Sequence, residues 1–384
     1  MYKEKGGHSM RKTKRFLALG LAACTSVALL AGCGSSTTES NSTTKATEAG
    51  TTAETKEAQG DRAKTDEGSG DTAGVKEVGV FLYKFDDTYI STVRQNLEKI
   101  QKENPDKVNF TFYDGKGDQP TQNDSIDTIL QKDVDLLMVN LNDTGAAQTV
   151  VDKIKAADKP VVFFNREPVD QAAIKSYDKA CFVGTNAKDA GIIQGKMIAD
   201  LWSSDTAKYD KNGDGVLQYV MLKGEPDNPE AVARTEYSVK TVEEAGIKTE
   251  QLEIQVCNWD QSLAQNATEA WLSKLGDKIE VVIANNDGMA QGAIAALQAQ
   301  GYNNGDAEKF IPVYGVDATE AAQDLIKQGF MSGTVLQDAP AMAEALFTTG
   351  MNLAEGKSAI DGTEYQFDDT GYAIRIPYQE FTGK

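Results

Sequence analysis

Two groups of residues in this sequence could do chemistry. The first is the loop Asp210-Lys211-Asn212-Gly213-Asp214-Gly215-Val216-Leu217-Gln218. Asp210, Asn212, Asp214 and Gln218 place side-chain oxygens at loop positions 1, 3, 5 and 9, with Gly215 at position 6. That is the first three-quarters of an EF-hand calcium loop, in which the Val216 carbonyl would be the ligand at position 7. Position 12 is Met221, which cannot ligate calcium. Either a carboxylate from elsewhere completes the set or the loop is a polar turn.

The second group is spread along the chain. Short apolar runs end repeatedly in carboxylates, amides, guanidinium groups and aromatics. These ends are Lys84-Phe85-Asp86-Asp87-Thr88-Tyr89, Phe164-Asn165-Arg166-Glu167-Pro168, the stretch from Gly224 to Glu230 with Arg234 beyond, Trp259-Asp260, Asn285-Asn286-Asp287 and Asp317. Planar amide, carboxylate and guanidinium groups can each serve two neighbouring hydroxyls, and aromatic faces cover the C–H faces of a pyranose. Taken singly, Asp87 reads as a helix cap, Trp259 as core and Arg234 as a solvated helix face. Their recurrence at successive strand ends points to a sugar.

Several chemistries are excluded. The one histidine is His8, so the body of the chain holds no histidine triad and no histidine metal ligand. There is no GxSxG. Gly356-Lys357-Ser358 has its upstream glycine at Gly350, one residue too far for a P-loop, and Gly356 reads as a helix cap. Cys181 and Cys257 sit in apolar strand patterns and read as buried free thiols. A net charge of −19 without a basic patch argues against nucleic acid.

The elements that must position these residues follow a β-then-α rhythm. Strands are predicted at 75–85, 108–113, 134–140 and 160–165, then in a second series beginning near Ala180 at 180–184, 217–223, 252–259, 280–285 and 311–316. Helices are predicted between them, at 89–104, 120–132, 146–157, 190–202 and 229–245. Alternation with apolar strands means parallel sheets covered on both faces, and two series mean an α/β protein of two Rossmann-like lobes. Ligands collect at strand carboxyl ends, so the cleft between the lobes is the natural site. The apolar run 281–284 reads as a central strand with Asn286 at its carboxyl end. Glu280 stands at the other end, roughly 20 Å away.

The beginning of the sequence reads as processing signal. A basic stretch from Met10 to Arg15 precedes the apolar run 16–31. The run ends Leu30-Ala31-Gly32-Cys33, which resembles a bacterial lipobox and makes 1–32 a signal peptide and Cys33 the lipidated residue. Lys5-Gly6-Gly7-His8-Ser9 can be encoded as a ribosome-binding site read in frame, so translation is expected to start at Met10; N-terminal mapping of the precursor tests this. Residues 33–74 carry no leucine, isoleucine, valine, methionine or aromatic residue. They are expected to be a disordered tether reaching roughly 35 Å.

From Val75 onward the chain resembles the periplasmic galactose/glucose-binding proteins, the soluble receptors of sugar ABC transporters. The resemblance rests on YKFDD at 83–87, VVFFNREP at 161–168, DKNGDG at 210–215 with Gln218, and KGEPDNPEAVAR at 223–234. It continues in VVIANND at 281–287, VYGVDA at 313–318 and GTVLQD at 333–338. It implies lobes that exchange chain three times at a hinge, the first from 75–184 plus 338–366 and the second from 185–337 plus 367–384. It implies that Asp87, Tyr89 and Asn165 from one lobe and Arg234, Trp259, Asn286 and Asp317 from the other bind a monosaccharide, with Tyr89 and Trp259 stacking on it. It also implies that Glu280 is the missing calcium ligand. Three site positions depart from the family: Asn228 replaces a histidine, Glu230 an aspartate and Gln337 an asparagine. A galactose- or glucose-like hexose is the expected ligand, with xylose or ribose as alternatives. The resemblance further implies a monomeric, non-enzymatic receptor, lipid-anchored outside the cell membrane, that serves an ABC permease; a chemoreceptor is a further candidate partner. A glycoside hydrolase would use Asp87 and Glu230 as its carboxylate pair. A sugar-responsive repressor would need a helix-turn-helix where this chain has its lipobox.

Overall fold

The computed structural model describes residues 74–383. The leader, Cys33 and the tether up to residue 73 lie outside the described residues. Among the described residues no helix is long and apolar enough to cross a membrane.

The first series runs β1 (Lys76–Leu82), α1 (Thr88–Glu103), β2 (Val108–Asp114), α2 (Gln119–Ile129), β3 (Leu136–Val139), α3 (Ala147–Ala156), β4 (Val161–Phe164), α4 (Gln171–Lys175) and β5 (Ala180–Gly184). The second begins with α5 (Ala187–Ser204), α6 (Thr206–Tyr209), β6 (Val216–Lys223), α7 (Pro229–Glu244) and β7 (Lys248–Val256). It continues through α8 (Gln261–Leu275), β8 (Val281–Ala284), α9 (Asp287–Ala299), β9 (Val313–Asp317), α10 (Glu320–Lys327) and β10 (Gly333–Leu336). The chain closes with α11 (Ala339–Ala354), β11 (Ala373–Arg375) and β12 (Gln379–Phe381).

The strands form two sheets, ordered β11-β5-β4-β3-β1-β2 and β12-β10-β9-β8-β6-β7. The pairings are parallel except that of β10 with β12. Every residue of β3, β4, β8 and β9 is buried, as strands covered by helices on both faces must be. Helix α1 shows the matching helical logic: Tyr89, Ile90, Val93, Leu97 and Ile100 are buried along one stripe. These are two Rossmann-like lobes. Cys181 and Cys257 are both free and buried.

The chain passes between the lobes three times: after β5, after β10 and between β11 and β12. Helix α11 returns to the first lobe, where Met342, Ala343 and Leu346 join its core. The last passage lies at residues 376–378 and corrects the expected boundary at 366/367. Residues 367–375 stay with the first lobe because Phe367 packs on its core and β11 pairs with β5. Arg375 fastens the segment, donating from Nε to Asp368 at 2.8 Å and from Nη1 to Glu167 at 2.7 Å.

Candidate functional site

The carboxyl ends of both sheets face one another across a cavity with an empty volume of about 360 Å³. All ten residues expected to bind ligand line it, joined by Tyr83 and Arg166.

In the first lobe, β1 runs out into Tyr83 and Asp87. Asp87 is the N-cap of α1, and its Oδ1 accepts from the Tyr89 and Ile90 amides at 3.0 and 2.8 Å. Its Oδ2 accepts from the Tyr83 hydroxyl at 2.5 Å. Burial and the Asp87 charge push the Tyr83 phenol well above its ordinary value, so it remains a donor. The cap sets Tyr89 in the first turn of α1, where its ring is buried and its hydroxyl has no partner. Asn165 follows β4 with φ of 58°. Its Oδ1 accepts from Asn140 Nδ2 at 3.1 Å, which leaves its own amide N–H groups for the cavity.

In the second lobe, Asn228 caps α7, accepting from the Glu230 and Ala231 amides at 2.9 and 3.2 Å. One turn on, the Arg234 guanidinium is 3% exposed. Its Nη1 donates to the Asn285 carbonyl at 2.8 Å, and its Nη2 reaches Glu230, Gln337 and Tyr378. Trp259 sits in a turn after β7 with φ of 65°, and Asp317 ends β9 with φ of 126°. Left-handed backbone at non-glycine residues stores strain of the kind that gathers at binding sites. Asn286 caps α9 through Met289 N at 2.9 Å, and its Nδ2 donates to the Trp259 carbonyl at 3.4 Å. Burial raises the Asp317 carboxyl well above the carboxylate range; Arg234 opposes this, and the charge of Asp287 adds to it.

Five buried polar atoms of these residues have no partner: the Tyr89 hydroxyl, Arg234 Nε, Trp259 Nε1, Gln337 Nε2 and Asp317 Oδ2. An unpaired buried polar group costs about 1–3 kcal/mol. Five on the walls of one small cavity describe a place built for a polar molecule.

Sequence reasoning named Asn285 and Arg166 only as members of the strand-end groups, and Asn140 only as the last residue of a predicted strand, yet these residues hold the set in place. Asn140 ties three strand ends together: its Oδ1 accepts from Tyr83 N at 3.2 Å, and its Nδ2 donates to the Phe164 carbonyl at 3.1 Å. Asn285 does the same after β8, accepting from Gly224 N at 3.0 Å. Both stand as the first amide after an apolar run, which is the signal that could have found them. Arg166 stacks over the Tyr83 ring at 4.4 Å and pairs across the cleft with Glu225 at 2.5 Å.

The loop 210–218 lies at the far end of the second lobe's sheet. Its carboxylates fold it: Asp210 accepts from the amides of Gly213, Asp214 and Gly215 at 2.8–3.1 Å. Asp214 Oδ2 accepts from Asn212 Nδ2 at 3.0 Å and Gln218 Nε2 at 2.9 Å. Glu280 lies against this loop and accepts from Lys211 N at 2.7 Å and Gln218 N at 2.9 Å. The structure thus gathers Asp210, Asn212, Asp214, Val216, Gln218 and Glu280 at one place. Among the described residues no three His, Cys, Asp or Glu side chains converge as a metal cluster; the donors here are mixed carboxylate, amide and carbonyl. Gln218 Oε1 is buried without a partner. Burial raises the Glu280 carboxyl, and the charges of Asp210 and Asp214 push it the same way. An unsatisfied oxygen beside crowded carboxylates fits a hard cation.

A model of the periplasmic binding protein domain matches residues 78–358. The chain belongs to the periplasmic binding protein family. It is 42% identical over 307 residues to the D-galactose/methyl-galactoside binding periplasmic protein of Haemophilus influenzae, covering 80% of this chain and 89% of that one. It is 30% identical to a putative rhizopine-binding protein of Rhizobium meliloti, over 74% of this chain and 87% of that one. Among solved structures it resembles an ABC transporter solute binding protein of Bacillus halodurans with bound myo-inositol. There the TM-score is 0.66 at 27% identity, over 81% of this chain and 95% of the other. In this periplasmic binding protein the cavity lies between the two lobes.

Proposed function

We propose that this chain is an extracytoplasmic receptor that captures one hexose between its lobes by closing on it, and presents the closed form to an ABC permease. The observation that carries this reading is the set of five unpartnered polar atoms around a single cavity, contributed by both lobes. Tyr89 comes from the first lobe and Trp259 from the second, so the two aromatic faces can cover a pyranose only when the lobes are together. The residues of both lobes that line the cavity surround a space between their facing strand ends. The likeness to the Haemophilus galactose-binding protein supports galactose or glucose as first choice. The myo-inositol in the Bacillus structure supports a cyclitol as the second.

Hydrolysis fits the geometry less well. Both oxygens of Asp87 and both of Glu230 are already held by protein donors, whereas a glycosidase needs one carboxyl as free acid and the other as base or nucleophile. The loop 210–218 with Glu280 would hold calcium and brace the second lobe. Acylation at Cys33 would tether the receptor to the membrane.

Calorimetry with glucose, galactose, xylose, ribose and myo-inositol, paired with small-angle scattering, tests the reading. The expected result is micromolar or tighter binding of one hexose and a smaller radius of gyration when it is bound. Binding no better than millimolar across the panel, or tight binding without contraction, would overturn it.

A further inference from the structure

Glu230 was expected to touch the ligand and lines the cavity, and its carboxylate is also held by three other residues. Its Oε1 accepts from the Thr185 hydroxyl at 3.1 Å. Its Oε2 accepts from Arg234 Nη2 at 2.9 Å and from the Tyr378 hydroxyl at 3.1 Å. The hydroxyls of Thr185 and Tyr378 lie 2.8 Å apart. Arg234 Nη2 also donates to Gln337 Oε1 at 2.9 Å and to the Tyr378 hydroxyl at 2.8 Å. All five residues are buried.

The positions of the partners give this cluster its meaning. Thr185 is the first residue after β5, Gln337 the first after β10, and Tyr378 the last before β12. Each stands on a different passage of the chain between the lobes. Arg234 and Glu230, one turn apart on α7, therefore hold one residue from each of the three hinge strands. The same two elements face the cavity: Arg234 Nε and Gln337 Nε2 are the atoms left unpartnered there.

We infer that Glu230, Thr185 and Tyr378 are positioning residues, which lock the three hinge strands to Arg234 so that lobe angle and ligand geometry form one cooperative unit. A ligand that engages Arg234 Nε and Gln337 Nε2 pulls on groups already fastened to the hinge. Any change of hinge angle must in turn break or strain hydrogen bonds on Arg234. The length of the Glu230 side chain gives its carboxylate the reach to bridge Thr185 and Tyr378. This inference rests on the receptor reading for its ligand arm alone.

The test uses Thr185→Val, Tyr378→Phe and the double variant. Neither residue lines the cavity, and both replacements keep shape. The full chain is titrated with the hexose that binds wild type best, and ligand-free samples are measured by small-angle scattering and thermal melting. The expected result is an affinity about tenfold weaker for each single variant. The ligand-free radius of gyration should also differ from wild type, most in the double variant. Glu230→Asp should behave like Thr185→Val, and Glu230→Gln, which keeps the length, should recover part of the loss. Affinities within twofold of wild type overturn the inference. So does a lowered melting temperature with an unmoved radius of gyration, because the residues would then only stabilise the fold. If wild type binds none of the sugars, the receptor reading fails by itself, and the ligand-free scattering still decides this inference.

Discussion

Asp317 and Asp287 are carboxylates buried side by side, one ending β9 and the other opening α9. Burial raises both well above the ordinary carboxylate range, hydrogen bonds from Thr334 and Thr319 offset part of this for Asp287, and Arg234 offsets part for each. A carboxyl raised in the folded state binds its proton more tightly there than in the unfolded chain. Its stabilising contribution is whole at low pH and is lost as pH climbs from the ordinary carboxylate range toward neutrality. The ligand-free melting temperature should therefore carry a falling component between about pH 4 and 7. Asp287→Asn should flatten that component; parallel melting profiles for variant and wild type would discard it. Trp259→Ala should cost about 2–4 kcal/mol of sugar affinity by calorimetry and remove most of any fluorescence response. The site residues were readable in the sequence to the extent that each ends an apolar run: Asp87, Asn165, Asn286 and Asp317 all do. Thr185 and Tyr378 were not, because they meet across 193 residues of chain, and nothing local to either announces the other.

Among the elements, β6 does two jobs at its two ends. At its carboxyl end Gly224 lies under Trp259, and a Cβ there would come within 2.5 Å of the indole ring. Gly224→Ala should displace the ring and weaken sugar binding while leaving the fold cooperative; an unchanged dissociation constant would show that the ring position does not matter. At its amino end β6 leaves the loop 210–218. The loop spacing was legible, but the placing of Glu280 against it came from the family resemblance, since a sequence gap of 62 residues separates Gln218 from Glu280. The reason is now plain: Glu280 precedes β8, which pairs in parallel with β6, so the amino ends of both strands come to one place. Calcium at a hundredfold excess over its dissociation constant should add about 2.7 kcal/mol of stability to the native protein. Glu280→Gln should lose that gain and keep its sugar affinity. Melting curves with calcium and with chelator check this, and an equal response in both proteins would remove Glu280 from the ligand set.

At the scale of the whole molecule, among the described residues one ion pair crosses the cleft, Arg166 with Glu225. Arg166 is nearly buried and Glu225 is partly exposed, so the pair is worth about 1 kcal/mol after solvent screening. Glu225→Gln should weaken sugar binding roughly fivefold and enlarge the ligand-free radius of gyration, with less dependence on salt than wild type; identical scattering would remove the pair from the closing balance. The two-lobe plan was legible because β1, β3, β4, β6, β8 and β9 are apolar runs between helices. The last passage between lobes was not, because β11 and β12 have three residues each, too few to show a period. Those two short strands have a kinetic meaning. β11 completes the edge of the first sheet and β12 the edge of the second, and α11 comes back to cover a lobe begun at β1. Neither sheet is complete before β11 and β12 have been made. Pairings this distant in sequence are slow to form. The closing of each sheet is therefore expected to come late in folding, after the strands nearer in sequence have paired.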